Sequence, residues 1–235
     1  MTRSNHDKDQ PKYISASQLK TWITCQWQYH LRYGLGIPGE ESEAIYRGKV
    51  LHESLFSLIT DPLDWRSLDH PFLKILQTKF KHKPKVEPKI YQKEDTYLRL
   101  AIPDLVSAAD KLVVDLKTVT QLQLIHNIYE SDYLQMAFYR IVTKYPRSYI
   151  LKLYQKEDGE FFHRWHYIPF IREHQELLLR VEREELKEYW AGNLKPMPNY
   201  KSCRFCTHQK FCFWYQEVKS GTDNLGTLIK RTNSS

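Results

Sequence analysis

The sequence predicts a mixed α/β domain that begins with a helical part and ends with a cysteine-rich module. Helical periodicity dominates the first third of the chain, strand-like segments follow it, and three of the four cysteines lie close together near the C-terminus. We expect one domain over residues 13–215, with a helical part at 13–82, an α/β core at 83–190 and a cysteine module at 196–215. The polar segments at 1–12 and 216–235 are expected to be flexible tails.

The helices are predicted from apolar spacing and from the residues that stop each one. The first begins at Ser15 or Ser17, either of which can cap it, and runs to about Tyr33, before a segment rich in glycine and proline. The second contains a one-sided apolar stripe and ends at Asp61-Pro62. This second helix is predicted at Ala44–Ile59. Further helices are predicted at about Trp65–Lys81, Asp132–Lys144 and Phe170–Trp190.

The strands are predicted from alternation and from one short apolar run. Residues 96–102 alternate with period two, and Leu112–Lys117 is typical of a buried strand. We expect these two strands to pair through a turn near Ala109-Asp110. Further strands are predicted at Lys85–Tyr91, Ser148–Tyr154 and Phe161–Ile168, the last two as a hairpin closed near Asp158-Gly159.

Composition excludes several classes of protein. The chain of 235 residues is 41% hydrophobic and 27% charged, which excludes a disordered, collagen-like or coiled-coil protein. No apolar run approaches the roughly 18 residues of a membrane span, and the first ten residues lack the apolar core of a secretory signal, so we expect a cytoplasmic protein without a membrane partner. The net charge of +7 and pI of 9.1 favour a polyanionic partner such as nucleic acid.

The segment Asp115-Leu116-Lys117 carries the first candidate site. Residues i and i+2 of a strand point to one face, so an acid and a base project together from the end of the apolar strand. Such a pair suits phosphodiester hydrolysis, in which the carboxylate holds a divalent cation and the ammonium acts on the water or the phosphate. The motif by itself is common, and taken alone it is more typical of a surface ion pair.

Three further groups of residues accompany this pair. Asp104 follows Pro103, and two carboxylates that converge on one point suit Mg²⁺ or Mn²⁺. Gly48 and His52 are four residues apart and share one helix face, as do Gln135 and Tyr139 on a later helix. Taken singly, these pairs are also typical of structural histidines, caps and amphipathic faces. The supporting candidates are His52, Glu87, Gln135 and Tyr139.

The set Pro103-Asp104 … Asp115-x-Lys117 resembles the PD-(D/E)XK nuclease motif. With Gly48-x3-His52 and Gln135-x3-Tyr139 in the same order, the chain resembles the RecB-type nucleases within that superfamily. The resemblance implies a restriction-endonuclease-like mixed sheet flanked by helices. It implies that His52, Asp104 and Asp115 bind Mg²⁺ or Mn²⁺ and that Lys117, Asp104 and Asp115 are catalytic. It also implies that Gln135 and Tyr139, with Glu87 ranked lower, support the site and the contact with DNA.

The chain departs from the family pattern at two positions. Ala101 stands near the start of the first aspartate motif, where family members usually have glycine, and Gln26 follows Cys25 where proline is usual. Neither departure removes a metal ligand. The alanine bears on how closely the backbone can approach DNA.

The four cysteines form a second candidate site. Cys203-x2-Cys206-x5-Cys212 has the spacing of a chelating triplet, with Cys25 or His208 as a fourth ligand. Spacing alone slightly favours structural zinc. The resemblance extends to an iron–sulfur subset of RecB-type nucleases, similar to the AddB nuclease domain and the CRISPR-associated iron–sulfur exonuclease. It implies a 4Fe-4S cluster on Cys25, Cys203, Cys206 and Cys212.

The resemblance therefore implies a metal-dependent DNA nuclease, an exonuclease on single-stranded ends, that is stabilised by a 4Fe-4S cluster. No Walker-type phosphate loop is present, so any unwinding would need a helicase partner, and an integrase is a second candidate partner. The alternatives are a non-catalytic DNA-binding subunit of a recombination or CRISPR-adaptation complex, and a zinc-stabilised binding protein.

Overall fold

The computed structural model describes residues 13–61 and 65–219. Within these ranges, contacts divide the chain into two compact units. The first unit contains residues 13–16 and 44–178, and the second contains residues 17–43 and 179–219. The predicted tail at 1–12 lies outside the described residues, as does most of the tail at 216–235, of which residues 216–219 belong to a helix.

The strands all belong to the first unit and form two mixed sheets. A three-stranded sheet has the order β1-β4-β3, and a five-stranded sheet has the order β2-β5-β6-β7-β8. The pairs β1–β4 and β6–β7 are parallel, and the other pairs are antiparallel. The strands are β1 Tyr13–Ser15, β2 Lys85–Val86, β3 Ile90–Lys93, β4 Leu98–Ala101, β5 Leu105–Ser107, β6 Leu112–Thr118, β7 Arg147–Gln155 and β8 Phe161–Tyr167.

The helices include two π-helical turns and three 3₁₀ turns. None of the helices in the described ranges is both long enough and apolar enough to cross a membrane. The α-helices are α1 Ala16–Thr24, α2 Gln26–Tyr29, α3 Glu43–Thr60, α4 Pro71–Gln77, α5 Glu130–Thr143, α6 Arg172–Arg180, α7 Leu186–Ala191 and α8 Phe213–Lys219. The π turns are His30–Gly34 and Val181–Glu185, and the 3₁₀ turns are Leu122–His126, Tyr200–Phe205 and Gln209–Phe211.

Strand β6 lies at the centre of the first unit's core. Its apolar residues are buried on both faces, as the continuous apolar run predicts for a strand with a parallel neighbour. Apolar side chains of α3 and α4 belong to the same cluster, among them Ile59 and Phe72. Each fully buried side chain of this size contributes about 1.5–3 kcal/mol. The core therefore fixes the strand end from which Asp115 and Lys117 project.

The predicted pairing of Thr96–Ile102 with Leu112–Lys117 is wrong. Strand β4 pairs with β1 and β3, whereas β6 pairs with the short strand β5. The chain passes between the sheets around Pro103, which has no amide hydrogen to continue a ladder. The predicted turn near Ala109-Asp110 joins β5 to β6. The crossing matters for the site because it carries Asp104 to the side of β6.

Three other predicted elements are shortened or interrupted in the structure, and one strand was not predicted. The helix predicted at Trp65–Lys81 is limited to α4, where Pro71 sets the start and the His70 ring accepts the Phe72 N–H at 3.2 Å. The strand predicted at Lys85–Tyr91 is interrupted because Glu87 has a φ of 42° and Pro88 follows. The first predicted helix is divided at Cys25, which has extended backbone between α1 and α2. Strand β1 was not predicted.

Candidate functional site

Strand β6 presents an acid and a base together at its C-terminal end. Asp115 is 2% exposed, and its Oδ2 lies 2.8 Å from the Lys117 ammonium. The strand geometry that puts residues i and i+2 on one face accounts for this contact. Burial tends to lower the pKa of Lys117, but Asp115 and the other nearby carboxylates raise it overall. In the metal-free protein Lys117 is therefore a cation, suited to stabilising negative charge rather than to accepting a proton.

Asp104 brings a second carboxylate to the same place. Its Oδ2 accepts the backbone N–H of Leu116 at 2.5 Å, which locks the sheet crossing against β6. Burial and then the neighbouring Asp115 raise its pKa well above the usual range for aspartate. Glu87 is exposed but close, since its N–H donates to the Asp104 carbonyl at 2.9 Å and its carboxylate also raises the pKa of Asp104.

Helix α5 supplies the network that holds Asp115. The Gln135 amide donates to Asp115 Oδ1 at 2.5 Å and to the Tyr139 hydroxyl at 3.0 Å, while its Oε1 accepts from Lys117 at 3.3 Å. The Tyr139 hydroxyl donates to the Ile102 carbonyl at 3.1 Å, two residues before Asp104. Both side chains are buried. They connect the two aspartate segments, and direct contact with DNA stays a prediction.

Helix α3 places His52 beside this network through its glycine. A Cβ on Gly48 would lie 3.0 Å from the Thr118 hydroxyl at the end of β6, so glycine allows the helix to approach the strand closely. One turn later, His52 is near enough to Asp115 and Lys117 for their charges to affect its ring. Burial is the main effect and lowers the pKa of His52, which leaves a neutral imidazole available as a nitrogen ligand.

The donor set fits a divalent cation. Two carboxylates lie together in a partly buried place, and the buried Asp115 Oδ2 has the Lys117 ammonium beside it as an ion pair but accepts no well-aligned hydrogen bond from the described residues. Carboxylate oxygens with one imidazole suit Mg²⁺ or Mn²⁺. As the side chains stand, no group of three or more His, Cys, Asp or Glu residues in the described ranges is arranged to hold a metal ion. Filling the site therefore requires these side chains to adjust.

Replacing Asp104 by asparagine should stabilise the metal-free protein. The raised pKa means that ionised Asp104 opposes folding, and the penalty is complete above the folded pKa and declines as pH falls towards about 4, the pKa of an unfolded carboxyl. Asparagine keeps the acceptor for Leu116 without the charge. We expect a gain of about 1 kcal/mol or more at pH 8 that shrinks on acidification, measured by thermal melts in EDTA.

Excess Mn²⁺ provides the control for the Asp104→Asn melts. The cation should stabilise the wild-type protein and not the variant, since it binds the folded site only. A stability difference that does not change with pH, or a variant less stable than the wild type at pH 8, would contradict the assignment of Asp104.

A cleft with a volume of about 660 Å³ opens beside Lys117. It is also lined by Thr118, Tyr129, Asp132 and Lys152. Neither Asp132 nor Lys152 belongs to the motifs that predict the site. Asp132 could have been noticed as the acid in the first turn of the Gln135 helix, but Lys152 gives no local signal, because its position depends on the pairing of β6 with β7.

The second unit brings all four cysteines to one small pocket. Burial, followed by the proximity of Cys212, Cys25 and Cys206, raises the pKa of Cys203 to about 11. Burial also raises the pKa of Cys206 and Cys212. The thiols are thus close neighbours, and a bound metal would have to displace their protons. Thiolate donors in an apolar pocket fit Zn²⁺ or an iron–sulfur cluster. As at the first site, no group of three or more His, Cys, Asp or Glu side chains in the described ranges is arranged to hold a metal ion as it stands.

Hydrogen bonds join the segment before the cysteine triplet to the break at Cys25. Asn199 donates from its backbone to Cys25 Sγ at 3.4 Å and from its side chain to the Thr24 carbonyl at 2.9 Å. Ser202 also donates to the Thr24 carbonyl, and the Trp27 N–H donates to the Met197 carbonyl. The His208 ring donates from Nε2 to the Ile37 carbonyl oxygen at 3.0 Å, so this ring nitrogen is not directed at the thiols, whereas the His208 backbone N–H donates to Cys206 Sγ at 3.4 Å.

The comparisons with known proteins agree with this architecture. The family model described as the PD-(D/E)XK nuclease superfamily matches residues 13–101, which include His52 but end before Asp104. No curated protein matches the sequence. The fold is the mixed α/β fold of PD-(D/E)XK nucleases.

Several solved structures resemble the chain at low sequence identity. The crystal structure of SSO0001 has a TM-score of 0.54 at 15% identity and covers 89% of each chain. A "Putative exonuclease" from Eubacterium rectale has a TM-score of 0.54 at 15% identity and covers 88% of this chain and 92% of its own. An alkaline exonuclease from Laribacter hongkongensis has a TM-score of 0.47 at 14% identity, with 77% and 95% covered. The first two establish the shared fold.

Proposed function

We propose that the protein is a metal-dependent DNA nuclease, with its active site at the end of β6. The observation that carries this proposal is the convergence of Asp104, Asp115 and Lys117, with Asp115 Oδ2 2.8 Å from the Lys117 ammonium. The superfamily match and the shared fold support the same class of activity. Catalysis is assigned to Lys117, Asp104 and Asp115, and metal binding to His52, Asp104 and Asp115.

Each of the proposed site residues has a different role in phosphodiester hydrolysis. A bound Mg²⁺ or Mn²⁺ would polarise the scissile phosphate and lower the pKa of a water molecule. Asp104 and Asp115 would hold the cation, and neutral His52 would add a nitrogen donor. Lys117 keeps its proton and stabilises the charge that develops on the phosphate. Gln135 fixes Asp115 and Lys117 relative to each other through its two amide atoms.

The substrate is proposed to be DNA, with single-stranded ends favoured by the RecB-type resemblance. The net charge of +7 supports a polyanionic ligand. A helicase or an integrase is the partner that the RecB-type resemblance suggests. Recombination repair, CRISPR adaptation and phage DNA metabolism are the contexts that the resemblance suggests.

We further propose that the four cysteines bind a 4Fe-4S cluster, with zinc as the alternative. The shared pocket and the mutual effect of the thiols on the pKa of Cys203 support a common metal centre. Its role is structural, since Cys25 lies far from the triplet in sequence and closing that loop restricts the unfolded chain.

Linear and circular DNA provide the test of exonuclease activity. We expect the protein, purified without oxygen, to degrade end-labelled linear single strands in Mn²⁺ and to leave circular single strands intact, because an exonuclease needs an end. Equal cleavage of both forms would indicate an endonuclease instead. No cleavage of either form by folded protein would favour the alternative, a non-catalytic DNA-binding subunit.

A further inference from the structure

We propose that Lys152 binds a backbone phosphate of the nucleic-acid strand, in the cleft beside Lys117. The identity of the ligand rests on the proposed function, whereas the anion site follows from the structure. The Lys152 side chain is 3% exposed and lines the cleft. Its ammonium lies 4.8 Å from the centre of the Tyr129 ring, and among the described residues it forms no side-chain hydrogen bond or ion pair.

The Lys152 side chain is largely buried and its ammonium lies at the wall of the cleft, with no ion-pair partner among the described residues. A partly desolvated ammonium without a close counter-charge is energetically unfavourable. The face of Tyr129 offsets part of that cost, and it also holds the long side chain in one position. An anionic ligand would supply the missing charge and hydrogen-bond acceptors. The arrangement is therefore that of a preformed anion site rather than of a core residue satisfied by its neighbours.

The register of the sheet fixes where this anion would lie. Lys117 and Lys152 are direct partners in the parallel pair β6–β7, about 5 Å apart at their Cα atoms, and both line the cleft. Lys117 is paired with Asp115, so Lys152 is the lysine left to bind a second anion. A strand with its scissile phosphate at Lys117 would place a neighbouring phosphate at Lys152.

Two carboxylates also line the cleft, and among the described residues neither forms an ion pair with Lys152. Asp132 Oδ2 accepts the backbone N–H of Tyr129 at 3.1 Å, and its charge acts on Lys117. Glu157 lies at the far end of β7, beyond Gln155, and makes no ion pair with Lys152. The cleft thus presents a lysine whose charge is not taken up by an ion pair among the described residues.

The test measures binding of a fluorescent single-stranded oligonucleotide in EDTA, which separates binding from cleavage. Lys152→Met keeps the buried stem and removes the charge. We expect about tenfold weaker binding and a salt slope smaller by about 0.7, with an unchanged or higher Tm. Lys156→Met is the matched control, because Lys156 also lies on an aromatic ring, 4.6 Å from the centre of Phe162, but pairs with Glu160 outside the cleft. It should bind like the wild type.

The outcomes separate this proposal from a structural role and from the nuclease proposal. A Lys152→Met protein that binds like the wild type, or that binds weakly with an unchanged salt slope and a lower Tm, would overturn the phosphate site. Wild-type protein that binds through Lys152 without cleaving in Mn²⁺ would refute the nuclease and keep the site. If the wild type cleaves DNA and Lys152→Met binds DNA normally, the nuclease proposal would stand and the phosphate site would be refuted.

Two forms of the oligonucleotide identify which phosphate Lys152 binds. A loss of affinity in Lys152→Met that appears only with a 5′-phosphorylated strand would assign the site to a terminal phosphate. An equal loss with phosphorylated and 5′-hydroxyl strands would assign it to an internal linkage, which is the result expected for a phosphate that neighbours the scissile one.

Discussion

Asp115→Asn should abolish DNA cleavage while DNA binding remains. The variant loses a proposed metal ligand and the carboxylate that pairs with Lys117 at 2.8 Å, yet it keeps the shape of the side chain and an acceptor for Gln135. Loss of the cation and of charge positioning should lower kcat by about 10³-fold or more. The basic surface is unchanged, so the Kd for DNA in EDTA should stay within a few-fold of the wild type.

Asp110→Asn is the matched control for Asp115→Asn. Asp110 is also a buried carboxylate next to β6, but it accepts from Ser107 at 2.8 Å and from the backbone of His82 at 3.1 Å, at the other end of the strand. This variant should lose stability, because a buried acceptor network is weakened, and should keep its cleavage activity per folded molecule. Substantial cleavage by folded Asp115→Asn would refute the site assignment.

Cys203→Ala should remove the proposed cluster and with it much of the second unit's stability. The wild-type protein, purified without oxygen, should be brown and contain iron and sulfide, whereas the variant should be colourless. Loss of a bound metal centre that closes a long loop should lower the Tm by many degrees and reduce solubility. Visible absorption, iron analysis and thermal melts measure these changes.

Ser202→Ala provides the comparison for the cysteine variant. Ser202 lines the same pocket and donates to the Thr24 carbonyl at 3.2 Å, but it has no thiolate to bind a metal. It should keep the colour and lose at most about 1 kcal/mol. A colourless wild-type protein that contains zinc would support the zinc alternative, and a Cys203→Ala protein with the wild-type Tm would contradict a structural cluster.

The parts of the site that the sequence predicts are those that local geometry determines. Asp115 and Lys117 share a strand face because of the period of two, and Gln135 and Tyr139 share a helix face because they are four residues apart. Gly48 and His52 share a helix face for the same reason, and an added Cβ at Gly48 would lie 3.0 Å from the Thr118 hydroxyl. Each of these relations depends on a few neighbouring residues, so the sequence contains the information.

The parts that the sequence misses depend on long-range pairing. Strand β1 has three residues, too few for a pattern, and gains its structure from β4 far along the chain. The position of Asp104 beside Leu116 depends on the crossing between sheets, which the predicted pairing of β4 with β6 misplaced. Lys152 faces the cleft only because β7 pairs with β6 in one register. Contacts between residues far apart in the sequence produce no local sequence pattern, so they could not be predicted from a few neighbouring residues.

The most direct test of the central claim is the rate of DNA cleavage by the wild-type protein as a function of Mn²⁺ concentration. We predict no cleavage in EDTA, a saturable increase as Mn²⁺ is added, and no such increase for Asp115→Asn at any concentration. Cleavage that proceeds equally well in EDTA, or folded wild-type protein that leaves DNA intact at saturating Mn²⁺, would contradict the assignment of a metal-dependent nuclease.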